Sequence, residues 1–174
     1  MIPLPVPLVI KRIGDCTLPD DRALVLDYFE MIDICVSDKM TFEHCARQLK
    51  DTNGISVMLK ALKKLLEDAN LVYLTVQLFE TLKESVPIVM DIIQFGGLDI
   101  LDKAKRLHVD DELITDGIPK LLRVLICKHN WCFFCSFPLE MFYSHHISLI
   151  SVYTLFQFAV FQILNRCWDP SFYH

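Results

Sequence analysis

His129, Cys132, Cys135 and either His145 or His146 have the side-chain types and the Cys-x-x-Cys spacing from which a zinc site can be built. Such a site needs four ligands gathered by tight turns. Phe133, Phe134, Phe137, Phe142 and Tyr143 crowd these positions and no glycine lies among them, so the residues read as apolar cysteines and incidental histidines. The same cysteine pair lacks the βαβ context of a redox motif. Asp110, Asp111 and Glu112 carry acid for metal or acid-base chemistry, but as the first turn of a short helix they are more simply partners of its dipole, with His108 a surface residue beside them. Lys60, Lys63 and Lys64, and Lys103, Lys105 and Arg106, have the charge to meet acidic partners or phosphates, and solvated helix faces account for both groups. Gly96-Gly97 lacks the following Gly or Lys of a phosphate loop, and there is no nucleophile elbow and no histidine pair one helical turn apart. The expectation is a non-enzyme without cofactor or metal.

The elements that would position these side chains come from a chain of 174 residues, 53% hydrophobic and 22% charged, with a net charge of −5. That is enough for one ordinary domain, is too apolar for low-complexity disorder, and carries no basic footprint for nucleic acid. The composition breaks near residue 127. Residues 1–127 hold 15 of the 17 Lys and Arg, 20 of the 22 Asp and Glu, and all five glycines, whereas residues 128–174 hold 13 of the 19 aromatics. The chain therefore divides into a proline-rich lead (1–19), a charged helical region (20–127) and an aromatic-rich hydrophobic tail (128–174). Seven scattered cysteines suit reduced thiols, and Pro3, Pro5 and Pro7 interrupt an N-terminal run that no basic stretch precedes, making it a poor signal peptide. A cytoplasmic location follows as the expectation.

Helical periodicity dominates 20–127, with no alternating pattern to compete. Residues 20–36 form an amphipathic helix. Thr41 is placed to cap a shorter one to about residue 50, and Asp51-Thr52-Asn53-Gly54 supplies a turn. Ile55, Met58, Leu59, Leu62, Leu65 and Leu66 make the next stripe. Asn70 is placed to cap a helix to about residue 85 whose core residues are Leu74, Leu78, Phe79 and Leu82. Helices over 87–95 and 98–107 follow, joined at Gly96-Gly97. Two short pieces come last: 110–116, stopped by Gly117, and 118–127, with Pro119 in its first turn.

An internal repeat runs through these helices. Asn53-Gly54-Ile55, Gly96-Gly97-Leu98 and Asp116-Gly117-Ile118-Pro119-Lys120-Leu121-Leu122 each open a leucine-rich helix after a short one, the first two 43 positions apart. This order of a short helix, a glycine turn, a leucine helix and a longer helix resembles the armadillo repeat. The resemblance covers roughly 20–127 and implies an all-α fold: an armadillo-like α-solenoid fragment with one complete repeat and partial neighbours, its third unit truncated where the next glycine turn arrives early. An irregular α-helical bundle without superhelical stacking is the alternative. In the family, third helices line a peptide groove, and 70–85 takes that place beside 20–36. The resemblance thus implies a protein or peptide partner bound through Tyr73, Gln77, Glu80, Thr81 and Glu84. Gln77 and Thr81 stand where nuclear-import and catenin relatives present Asn and Trp, so import-signal recognition is not implied.

The tail holds an uncharged run at 147–164, 18 residues that as a helix would span about 27 Å, close to the hydrocarbon thickness of a bilayer. Gln157, Gln162 and flanks without an orientation signal weigh against a transmembrane anchor. Three readings stand: a C-terminal anchor, a buried helix covering the end of the repeat, or a segment never selected as a fold, which the abrupt change of composition favours. The function expected is a non-enzymatic protein-interaction scaffold or adaptor. The alternative is a membrane-anchored adaptor held by 147–164.

Overall fold

The computed structural model describes the backbone of residues 5–136 and the side chains of 5–128. Contacts divide the chain into two units, Met1–Cys132 and Phe133–His174. Of the second, only the end of the last helix is described. Among the described residues there are eight α-helices and no strand.

The first helix, α1 (Val6–Asp15), lies inside the stretch expected to be a proline-rich lead. Pro5 sits at its N-cap and Pro7 in its first turn, where a missing N–H costs no helical hydrogen bond. Val6, Val9, Ile10 and Ile13 then recur at i, i+3, i+4 and i+7 and are all buried. The prolines mark where the helix starts rather than preventing it.

α2 (Arg22–Ser37), α3 (Phe42–Asp51), α4 (Gly54–Lys64), α5 (Ala69–Leu82), α6 (Val86–Gln94) and α7 (Gly97–Leu107) follow the expected periodicity closely. Two caps differ from expectation. The Thr41 hydroxyl donates backwards to the carbonyls of Cys35 (2.7 Å) and Asp38 (3.3 Å) and makes no cap hydrogen bond to α3. At α5 the cap is Asp68, whose carboxylate accepts from the backbone N–H groups of Asn70 (3.1 Å) and Leu71 (3.3 Å). Asn70 lies inside the helix. Two strong cap formers stood two positions apart, and the charged one is favoured because it is also an ion-pair partner of Arg22.

The larger correction is α8 (Glu112–Ser136), one helix of 25 residues where two short pieces and a glycine turn were expected. Gly117 and Pro119 both lie within it. An interior proline costs about 3 kcal/mol and a glycine about 1 kcal/mol. Against them, Ile114, Ile118, Leu121 and Leu125 form an unbroken stripe, each 0% exposed, and burial of such side chains contributes about 1.5–3 kcal/mol apiece. Burial outweighs propensity, and the helix runs through the expected boundary at residue 127.

With α8 as a single long helix, helix starts recur at nearly constant intervals. α3 and α6 begin 44 positions apart, α4 and α7 begin 43 apart, and so do α5 and α8. The two N-caps that need a left-handed backbone, Asn53 (φ 51°) and Gly96 (φ 77°), are also 43 apart. α3 packs on α6, α4 on α7, α5 on α2, and α1 on α4. Polar links join residues 41, 42 and 45 positions apart. Lys50 Nζ donates to the buried Asp91 carboxylate at 2.5 Å, His108 Nε2 lies 2.8 Å from the Leu66 carbonyl, and Lys128 Nζ donates to the Lys83 carbonyl at 2.7 Å. Phe29, Ile32, Leu49, Met58, Leu78 and Phe79 are among the largest fully buried side chains between the layers.

Among the described residues no helix is long and apolar enough to cross a membrane. The run at 147–164, and with it the three readings of the tail, lies outside the described residues.

Candidate functional site: an open groove across three long helices

α5 has two faces because its sequence alternates apolar and polar residues at helical spacing. Leu71, Val72, Thr75, Val76, Leu78, Phe79 and Leu82 are buried. Tyr73, Gln77, Glu80, Thr81 and Glu84 fall at i, i+4, i+7, i+8 and i+11 on another side. Of the expected core residues, Leu78, Phe79 and Leu82 are 0% exposed, while Leu74 is only half-buried.

The polar stripe is linked along its length. Gln77 Nε2 donates to the Tyr73 hydroxyl at 2.8 Å, and the Thr81 hydroxyl donates to the Gln77 carbonyl at 3.3 Å. Lys83 pairs with Glu80, and Glu84 accepts from Lys128 of α8 at 3.2 Å.

Four of the five residues, Tyr73, Gln77, Glu80 and Thr81, line one open groove, together with Val76 of α5, Asp33 and Ser37 of α2, and Leu113 and Gly117 of α8. Glu84 lies one turn beyond and is held by Lys128 instead. Sequence reasoning named the α2 region as a neighbouring face without naming Asp33 or Ser37. It assigned Leu113 to a short acidic helix and Gly117 to a turn. Only the packing of residues more than 30 positions apart brings these side chains together, and no local periodicity signals that.

Gly117 lets α8 come close. A Cβ there would stand 3.1 Å from Val76 Cγ1, tighter than an ordinary van der Waals contact. Leu113, one turn earlier, is 63% exposed and supplies an apolar edge. Asp33 and Glu80 make the lining acidic, and burial raises the Asp33 carboxyl above the usual carboxylate range. Hydroxyls of Tyr73, Ser37 and Thr81 and the amide of Gln77 are groups that exchange hydrogen bonds with a peptide backbone.

A second recess lies at the α7–α8 junction, lined by Ala69, Leu107, His108, Asp110, Asp111, Glu112 and Leu113. Its acids serve the helix start: the Asp111 carboxylate accepts from the backbone N–H groups of Leu113 (3.0 Å) and Ile114 (3.2 Å). His108, expected at the surface, is half-buried with its ring against the Leu66 carbonyl. The thiols of Cys16 and Cys45 lie outside both recesses and are pushed up chiefly by burial, so neither has the lowered pKa of a nucleophile. Among the described residues no three His, Cys, Asp or Glu side chains come together to hold a metal. The side chains of His129, Cys132, Cys135, His145 and His146 lie outside the described residues. Compared with family models, curated proteins and solved structures, the chain matches none.

Proposed function

We propose that the chain is a non-enzymatic protein-binding scaffold, its helices stacked as an armadillo-like α-solenoid fragment, that takes an extended peptide or a partner helix in the groove across α2, α5 and α8. The observation that carries this reading is the groove itself. Residues from three long helices line one open channel with hydrogen-bonding groups along its middle and an apolar edge. The recurrence of helix starts at 43 and 44 positions supports the repeat assignment. A cytoplasmic location rests on the cysteine usage, with Cys16, Cys35, Cys45 and Cys127 free thiols.

Selection from a displayed library of random peptides against the full chain tests the reading. Selected peptides should lose at least about tenfold in affinity, about 1.4 kcal/mol, when Asp33→Arg and Gln77→Arg are combined. Peptides that bind the doubly substituted chain unchanged would place the contact surface elsewhere. The uncharged run at 147–164 supports a second reading, a membrane-anchored adaptor. It requires carbonate-resistant membrane association that disappears on deletion of those residues.

A further inference from the structure

The corner between α2 and α3 brings two thiols together. Cys35 is the third residue from the end of α2, and Cys45 is the fourth residue of α3. The turn between the helices is fixed by its own hydrogen bonds. The Asp38 carbonyl accepts from the backbone N–H groups of Thr41 (3.0 Å) and Phe42 (2.9 Å), and the Asp38 carboxylate accepts from that of Met40 (2.9 Å). The Thr41 hydroxyl, which donates to the Cys35 carbonyl at 2.7 Å, is also within hydrogen-bond reach of the Cys45 thiol, and the two thiols are within such reach of each other.

The two cysteines are unequal. Cys35 is half-buried, whereas Cys45 belongs to the core and is 5% exposed. A reagent from solvent therefore meets Cys35 first. Burial, and next the neighbouring Cys35, raises the Cys45 thiol, which keeps its proton and waits behind its partner. Packing at this corner calls only for small apolar side chains, a task that a cysteine shares with several other residues. Two thiols in contact, one open and one closed, are what a two-step oxidation uses: an accessible sulfur and a resolving sulfur beside it. Cys16 differs, since burial and then the carboxylates of Asp21 and Asp15 disfavour its thiolate.

We propose that Cys35 and Cys45 form a site of oxidation by peroxide, in which Cys35 takes the oxygen and Cys45 resolves it to a disulfide between α2 and α3. In the first step the Cys35 sulfur attacks one oxygen of hydrogen peroxide and the O–O bond breaks. The other oxygen leaves and takes up the thiol proton as water, and Cys35 becomes a sulfenic acid. In the second step the Cys45 sulfur attacks the Cys35 sulfur, the S–O bond breaks, and the hydroxyl leaves with the Cys45 proton as water. The two thiols lose two electrons and the peroxide gains them. The raised Cys45 thiol slows the second step, and the fixed contact between the sulfurs offsets this. Cys35 lies two positions from both Asp33 and Ser37, on the opposite side of α2, so the pair stands or falls independently of the groove.

The test treats the reduced full chain with hydrogen peroxide, blocks the remaining thiols with N-ethylmaleimide and maps tryptic peptides by mass spectrometry without reduction. Trypsin cuts after Arg22, Lys39 and Arg47, so the link is read as peptide 23–39 joined to peptide 40–47. The expected result is that this link exceeds every other cysteine pairing by at least about tenfold, with a yield that does not change on dilution, as held partners within one chain require. With dimedone present to trap sulfenic acid, the Cys45→Ala chain should be labelled at Cys35, and the Cys35→Ala chain should keep Cys45 reduced. The mapping uses the unsubstituted chain, so it decides the matter even where a substitution lowers helicity in circular dichroism. Cys35 and Cys45 left unlinked, a yield that falls on dilution, or dimedone on Cys45 of a helical Cys35→Ala chain would each overturn the proposal.

Discussion

Gly117 of α8 and Val76 of α5 are the point at which two long helices meet: a Cβ added to the glycine would come 3.1 Å from Val76 Cγ1. Both residues also line the groove. One close contact thus sets how the third long helix sits against the second and what the channel floor is made of. Gly117→Ala adds about 1 kcal/mol of helix propensity and asks Val76 to move by a few tenths of an ångström, so its net effect should stay within about 1 kcal/mol. Gly117→Leu has no such room and should lower stability by about 1–3 kcal/mol in urea unfolding.

The start of α8 also shows where local reading of the chain stops working. Gly117 and Pro119 are breakers by every short-range rule, yet the stripe of Ile114, Ile118, Leu121 and Leu125 crosses them without interruption. Tertiary burial overrode propensity there, as it did at α1, where Pro5 and Pro7 occupy the places a helix tolerates. The leucine stripes of α4 and α5 and the turns at Asn53 and Gly96 were legible because period and backbone requirement agreed. For the groove, the stripe from Tyr73 to Thr81 was legible on one helix. Asp33, Ser37 and Leu113 were not, because their neighbours in space are more than 30 positions away in the chain.

The left-handed caps at Asn53 and Gly96 each start a helix close behind the preceding one, and nothing lies within 4 Å of where a Cβ at Gly96 would stand. Conformation alone therefore decides what is tolerated. Gly96→Asn should cost no more than about 1 kcal/mol, since asparagine visits this region readily, whereas Gly96→Val should cost about 1–2 kcal/mol or more. Thermal unfolding of the two variants side by side reads the difference.

Asp68 is buried, caps α5 and pairs with Arg22 of α2, whose side chain is 59% exposed. Loss of the carboxylate removes a cap, while loss of the arginine removes only a solvated partner. Asp68→Ala should destabilise by about 1–2 kcal/mol and Arg22→Ala by less than about 1 kcal/mol. The reverse order in chemical denaturation would mean that the ion pair, not the cap, holds α5 in place.

Burial raises the Asp33 carboxyl, so the folded chain holds this proton more tightly than the unfolded chain does. Stability from this group is present below the unfolded carboxylate range and is lost as pH rises through the folded value. Asp33→Asn should therefore stabilise the chain slightly at neutral pH, by no more than about 0.5 kcal/mol. The gain should vanish in acid, where the native residue is protonated in both states. Melting curves across that range provide the measurement.

The most direct test of the groove is hydrogen exchange of the full chain, read by mass spectrometry, with and without a peptide selected for binding to it. The account predicts slowed exchange in segments containing Asp33 and Ser37, Tyr73 to Thr81, and Leu113 to Gly117, all three together. Protection confined to other helices, with these three segments unchanged, would contradict it.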